Sequence, residues 1–113
     1  MYRQGDVLLI PSVIPGTAAP ETPEPRGVVL ALGESSGHAH LLDPVDCETV
    51  TWADAGKIVR RGLRVIRETS LRHTNADGSL TQEHGTIIVP PGNYLVIIQR
   101  EALADDEVRA VED

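Results

Sequence analysis

Two of the four histidines stand as His38-Ala39-His40, directly after the turn-forming run Gly33-Glu34-Ser35-Ser36-Gly37. Residues i and i+2 of an extended strand point to one face, so a strand here projects both imidazoles side by side and turns Ala39 away. Two neutral imidazoles at that spacing make half a site for a divalent transition metal (zinc, iron or nickel) and need one or two ligands from elsewhere. His84, His73 and Glu83 are the candidates. Asp77-Gly78 is a strong hairpin turn, because Asp-Gly readily takes the positive φ angles of tight hairpins. If residues 71–73 pair with 82–84 across it, His73 and His84 come together and all four histidines cluster. The metal set read from the sequence is therefore His38, His40, His84 and His73.

Glu83 has three readings: a carboxylate ligand, a proton acceptor beside a metal-bound water, or an exposed strand-end acid. The catalytic assignment, if there is catalysis, falls on Glu83. Without a metal, the pair would only hydrogen-bond backbone, and a four-histidine cluster would titrate near neutrality as a pH-sensitive contact. Cys47 reads as a small buried apolar residue, with a soft metal ligand as the alternative. Asp43 before Pro44 reads as a turn cap. Serine, cysteine and histidine form no nucleophilic triad, and no Gly-rich phosphate loop is present.

The elements that must position these groups are strands. Val7-Leu8-Leu9-Ile10 follows a Gly5-Asp6 turn and stops at Pro11. Gly27 to Gly33 brackets a second apolar run, and His38 to Leu42 is the histidine strand, stopped by Asp43-Pro44. Glu48 to Trp52 alternates polar and apolar residues, the mark of a half-buried strand. Leu63 to Glu68, Leu71 to His73, Thr86 to Val89 and Tyr94 to Ile98 follow. Roughly seven to nine short strands with turn residues between them predict a small all-β barrel or sandwich. Residues 12–26 carry four prolines, a density at which no packed element is expected, so they read as an exposed loop, either mobile or a docking arm. Asp105 could cap a short helix within an acidic tail at 102–113.

With 113 residues, 41% of them hydrophobic, the chain is expected to be one domain with an aliphatic core, since it has no Phe and one Trp. The net charge of −7 argues against nucleic acid as a partner. A single cysteine gives no disulfide framework and suits a reducing, cytoplasmic location. The opening residues read as neither a signal peptide nor a membrane span. Arg60, Arg61, Arg64, Arg67 and Arg72 concentrate positive charge and read as a solvated sheet face balancing nearby carboxylates, with a phosphate-binding patch as the alternative.

Glycine, four residues and then His38-Ala39-His40 resembles the first cupin motif. Gly85, four residues and Pro90-Pro91-Gly92 resembles the start of the second. The resemblance implies a small metal-holding β-barrel. It carries over to His38 and His40 only: the glutamate expected after the pair is absent, and Asn93-Tyr94-Leu95 stands where the second motif's histidine belongs. The opening runs also look like the first strands of co-chaperonin-type barrels, with residues 12–26 as the docking loop, although the apolar docking tripeptide is absent. Most of the chain resembles an uncharacterised family of short bacterial and phage proteins that open with a QGDVLL-type strand and carry a GHxH segment. That likeness implies no activity.

Two functions follow as expectations. One is a small metal-binding β-barrel in which an open metal position polarises a small substrate or water. The other is a non-catalytic assembly or interaction module of phage or mobile-element type, with a structural histidine cluster. A homo-oligomer, and a protein partner for the 12–26 loop, are expected with either.

Overall fold

The computed structural model describes residues 1–32, 37–82 and 84–99. Ten strands run in chain order: β1 (Tyr2–Gln4), β2 (Val7–Pro11), β3 (Ala19–Pro20), β4 (Val28–Leu32), β5 (Ala39–Leu42), β6 (Cys47–Ala53), β7 (Val59–Val65), β8 (Thr69–Thr74), β9 (Ile87–Val89) and β10 (Gly92–Ile98). They form two antiparallel sheets, one ordered β1-β2-β10-β7-β6-β3 and the other β4-β5-β8-β9. The all-β expectation holds, and the arrangement is sandwich-like.

The core lies between the sheets and is aliphatic. Val7 and Leu9 of β2 and Leu63 of β7 face Leu42 of β5, Leu71 of β8 and Val89 of β9, all fully buried. Each such side chain removed from water contributes about 1.5–3 kcal/mol. Tyr94 adds the largest ring, its hydroxyl donating to the Pro90 carbonyl at 2.7 Å while Tyr2 meets it edge-on.

Several strands sit where the sequence placed them, and three details differ. The stretch expected at 63–68 runs instead from Val59 to Val65, because β6 and β7 zip together from Ala53↔Val59 to Cys47↔Val65. The backbone amides of Ile66 and Arg67 both turn onto the Asp46 carbonyl. Second, Ala19–Pro20 is a strand despite the proline-rich surroundings. It is two residues long and lies at the sheet edge on β6, where a residue without an N–H is tolerated. Residues 12–26 are largely exposed, but they are laid along the sheet. Third, β1 was not foreseen. The helix placed at Asp105 and the tail at 102–113 lie outside the described residues.

Arg61 clasps the two sheets. The register of β4 on β5 slips between Val29 and Ala31, leaving Leu30 as an extra residue, as in a β-bulge. From β7, the Arg61 guanidinium donates to the Leu30 carbonyl at 2.6 Å and the Val29 carbonyl at 2.8 Å, and pairs with Glu21 at 3.0 Å. Arg60 pairs with Asp54, Arg64 with Glu48 and Arg67 with Asp46, so four of the five clustered arginines balance carboxylates as the sequence suggested.

Candidate functional site

Strand alternation turns His40 to the same face as Leu42, and His73 to the same face as Leu71. Both leucines are core residues, so the two imidazoles continue the inner face of the four-stranded sheet to one end of the core. The register sets them directly opposite, His40↔His73, and each is only 2% exposed. The expected pairing partner for residues 71–73 was 82–84. In the structure residues 69–71 pair with 87–89, and His73 has a histidine strand on its other side.

His73 is the hub. Its ring centre lies 4.6 Å from that of His40, 4.8 Å from His84 and 5.4 Å from His38. His40 and His84 are 6.0 Å apart with near-parallel rings. His38, expected on the same strand as His40, stands outside it because β5 begins at Ala39; like His84, it is half-buried. The cluster thus has two buried imidazoles flanked by two more accessible ones.

Gln4 orients the deepest part of it. This buried side chain donates from Nε2 to the Leu71 carbonyl at 2.8 Å and to the Gly85 carbonyl at 2.9 Å. Both amide hydrogens are therefore used, and Oε1 can only accept. The His40 Nδ1 lies 2.8 Å from that oxygen, so Nδ1 carries a proton. In the neutral ring the lone pair is then on Nε2, which faces the Asp6 carboxylate at 4.0 Å. That distance is too long for a hydrogen bond. Thr81 holds His73 in a similar way, its Oγ1 2.5 Å from Nδ1 and its amide donating to the His73 carbonyl at 2.9 Å.

The turn between β1 and β2 covers the cluster. Gly5 has φ +59°, and a Cβ there would lie 2.8 Å from the His84 Nε2. Only glycine meets both the backbone conformation and the close approach of the ring. On the far side Gly37, φ +82°, packs so tightly on Ala76 that a Cβ would sit 2.7 Å from the Ala76 Cβ. The Asp-Gly hairpin therefore fixes the approach to His38.

Residue type and spacing point to the four histidines but not to Gln4, Asp6 and Thr81. One signal was available: Gln4 is two residues from Tyr2, hence on its face, immediately before a Gly-Asp turn. Glu83, the candidate proton acceptor, lies outside the described residues. Cys47 is buried away from the histidines among core residues. Burial, then the carboxylates of Asp46, Asp43 and Glu48, push its thiol up from 9.0 to about 12. Among the described residues no group of three or more His, Cys, Asp or Glu side chains is arranged to hold a metal ion as it stands.

A family model described as a domain of unknown function matches residues 3–99. The chain belongs to the DUF8820 family. No curated protein and no solved structure matches it. The DUF8820 span takes in Gln4, Asp6, Thr81 and all four histidines, so the whole cluster lies within the domain. No helix among the described residues of this DUF8820 domain is long and apolar enough to cross a membrane.

Proposed function

We propose that this DUF8820 domain binds a divalent transition metal (zinc, iron or nickel) at the histidine cluster. The reading rests on one observation above the others. Gln4, anchored to two backbone carbonyls, holds the His40 Nδ1 proton and directs Nε2 toward Asp6. Metal-binding histidines characteristically have the second ring nitrogen held in this way, which fixes tautomer and orientation. Thr81 holds the His73 ring through its hydroxyl, which fixes the orientation but, able to donate or accept, leaves the tautomer open.

The spacing is compatible. Imidazoles on one tetrahedral ion, at metal–nitrogen distances of about 2.0–2.1 Å, have ring centres about 5 Å apart; the three rings around His73 lie at 4.6–5.4 Å from it, while His40 and His84, 6.0 Å apart, would have to draw together. His40 and His73 would supply the buried ligands and Asp6 a carboxylate. His84 or His38, both half-buried, would turn inward to complete the set. No catalytic step is assigned.

A second reading keeps the cluster as a structural polar plug in an assembly module. It is favoured by the lack of a converged three-ligand group among the described residues. Elemental analysis of tag-free protein, with and without the His38→Ala/His40→Ala double substitution, separates the two. About one metal per chain, lost in the variant, is expected. No metal after reconstitution would decide for the plug, and metal retained in the double variant would remove the site from His38 and His40.

A further inference from the structure

The outer face of the sheet that carries His40 and His73 has a second polar site. Leu41 and Arg72 are register partners there, next to the pair Ala39 and Thr74. Leu41, Arg72 and Thr74 line a cavity of about 210 Å3. The Asp-Gly hairpin walls it with Asn75 and Asp77, and Arg26, from the turn before β4, closes the other side.

We infer that this cavity binds the oxyanion group, phosphate or carboxylate, of a small molecule between Arg72 and Arg26. Three observations support it. Of the five arginines between residues 60 and 72, Arg72 is the one with no carboxylate partner among the described residues. A guanidinium presents a fork of N–H donors matched to two oxygens of such a group. Arg26 uses Nε for Glu24 at 3.3 Å, which leaves its terminal nitrogens for a ligand. Thr74 is 1% exposed, and its hydroxyl oxygen is buried with no hydrogen-bond partner among the described atoms. A polar atom in that state calls for a partner; the residue lines the cavity, and a turn of its side chain would bring the closed-off hydroxyl to a bound oxyanion.

Arg72 also borders a neighbouring cavity lined by Asp43, Asp46 and Glu68, with none of which it pairs, and the two carboxylates nearest the proposed site are already engaged. Asp77 accepts from the Ser79 amide at 2.9 Å and the Ser79 hydroxyl at 2.6 Å, bonds that hold its carboxyl below the usual range. Glu24 is paired with Arg26. The volume suits a small anionic group. The site is separate from the histidine cluster, on the opposite face of the same two strands.

Calorimetric titration of the full chain with inorganic phosphate, and separately with acetate, in chloride buffer tests this. Saturable one-to-one binding of at least one anion is expected, weakened at least tenfold by Arg72→Gln and several-fold by Thr74→Val. Circular dichroism checks that both variants fold. Arg72→Lys, which keeps the charge and removes the fork, serves if Arg72→Gln does not fold, and it too is expected to bind more weakly. Preference for phosphate assigns a phosphorylated ligand, and preference for acetate a carboxylate. Absence of saturable binding by either anion overturns the inference. So does affinity unchanged in folded Arg72 variants.

Discussion

The Oε1 of Gln4 and the Nδ1 of His40 meet at 2.8 Å inside the protein, joining β1 to β5 across 36 residues of chain. Gln4 also reaches the Leu71 carbonyl on β8 and the Gly85 carbonyl ahead of β9. One side chain thus ties the edge strand of the larger sheet to the elements carrying three of the four histidines.

Replacing Gln4 by Ala should cost about 2–3 kcal/mol, since the buried Leu71 carbonyl and the His40 Nδ1–H both lose their partner. Gln4→Glu keeps an acceptor for His40 but sets a carboxylate against two carbonyls, so it should not restore stability. Urea unfolding measures both. A loss below about 0.5 kcal/mol in Gln4→Ala would show that water replaces the amide without penalty.

On the metal-binding reading, Gln4→Ala should also weaken metal affinity by about 10–100-fold, the usual effect of removing such an orienting partner. His73→Ala should reduce affinity more than His38→Ala, because His73 adjoins every other ring of the cluster. Competition titration with a chromophoric chelator reads both. Equal affinities for the two histidine variants would remove His73 from the centre of the site.

Gly5→Ala should lose about 1–2 kcal/mol from its left-handed backbone and push the His84 ring away from the β1–β2 turn. The ring resonances of His84 in a carbon–proton correlation spectrum should move more than those of His38. An unmoved His84 would contradict the 2.8 Å approach.

Arg61→Ala removes two hydrogen bonds from a charged donor to the bulged strand, and about 1.5–3 kcal/mol for each such bond sets the upper scale. Because Arg61 is partly exposed, water replaces some of this, and a net loss of about 1–3 kcal/mol is expected. Arg61→Lys should recover little, having no fork to span the Val29 and Leu30 carbonyls. Full recovery by lysine would mean that the clasp is a matter of charge alone.

Cys47 should be inert in the folded protein. With its thiol raised from 9.0 to about 12, it is protonated at neutral pH, and only the thiolate is a good nucleophile. Iodoacetamide at pH 8 should label it slowly in buffer and quickly in denaturant. The folded state holds this proton more tightly than the unfolded one. The stabilisation is therefore complete below about pH 9 and is lost as pH rises from 9 toward 12. Rapid labelling of folded protein would show that the thiol is accessible.

Much of the architecture was legible because it is local. Alternation marked β6 and the apolar runs marked β2, β4 and β10, since one buried sheet face demands period two. Asp77-Gly78 announced its hairpin through the φ angle it needs: Gly78 has φ +90°. Ala19–Pro20 was hidden because its strand character comes from an available edge on β6, which composition cannot reveal.

The sequence by itself determined an all-β chain with an aliphatic core, two histidines on one short segment and two more flanking a hairpin. These follow from periodicity and turn chemistry within a few residues. Only the tertiary structure decided that His40 faces His73, that Gln4 sets the proton on His40, and that Arg72 is left without a carboxylate among the described residues. Those relations join segments some 30 to 70 residues apart in the chain. Their register is chosen by closing one shared core, and no local pattern of residues encodes that choice.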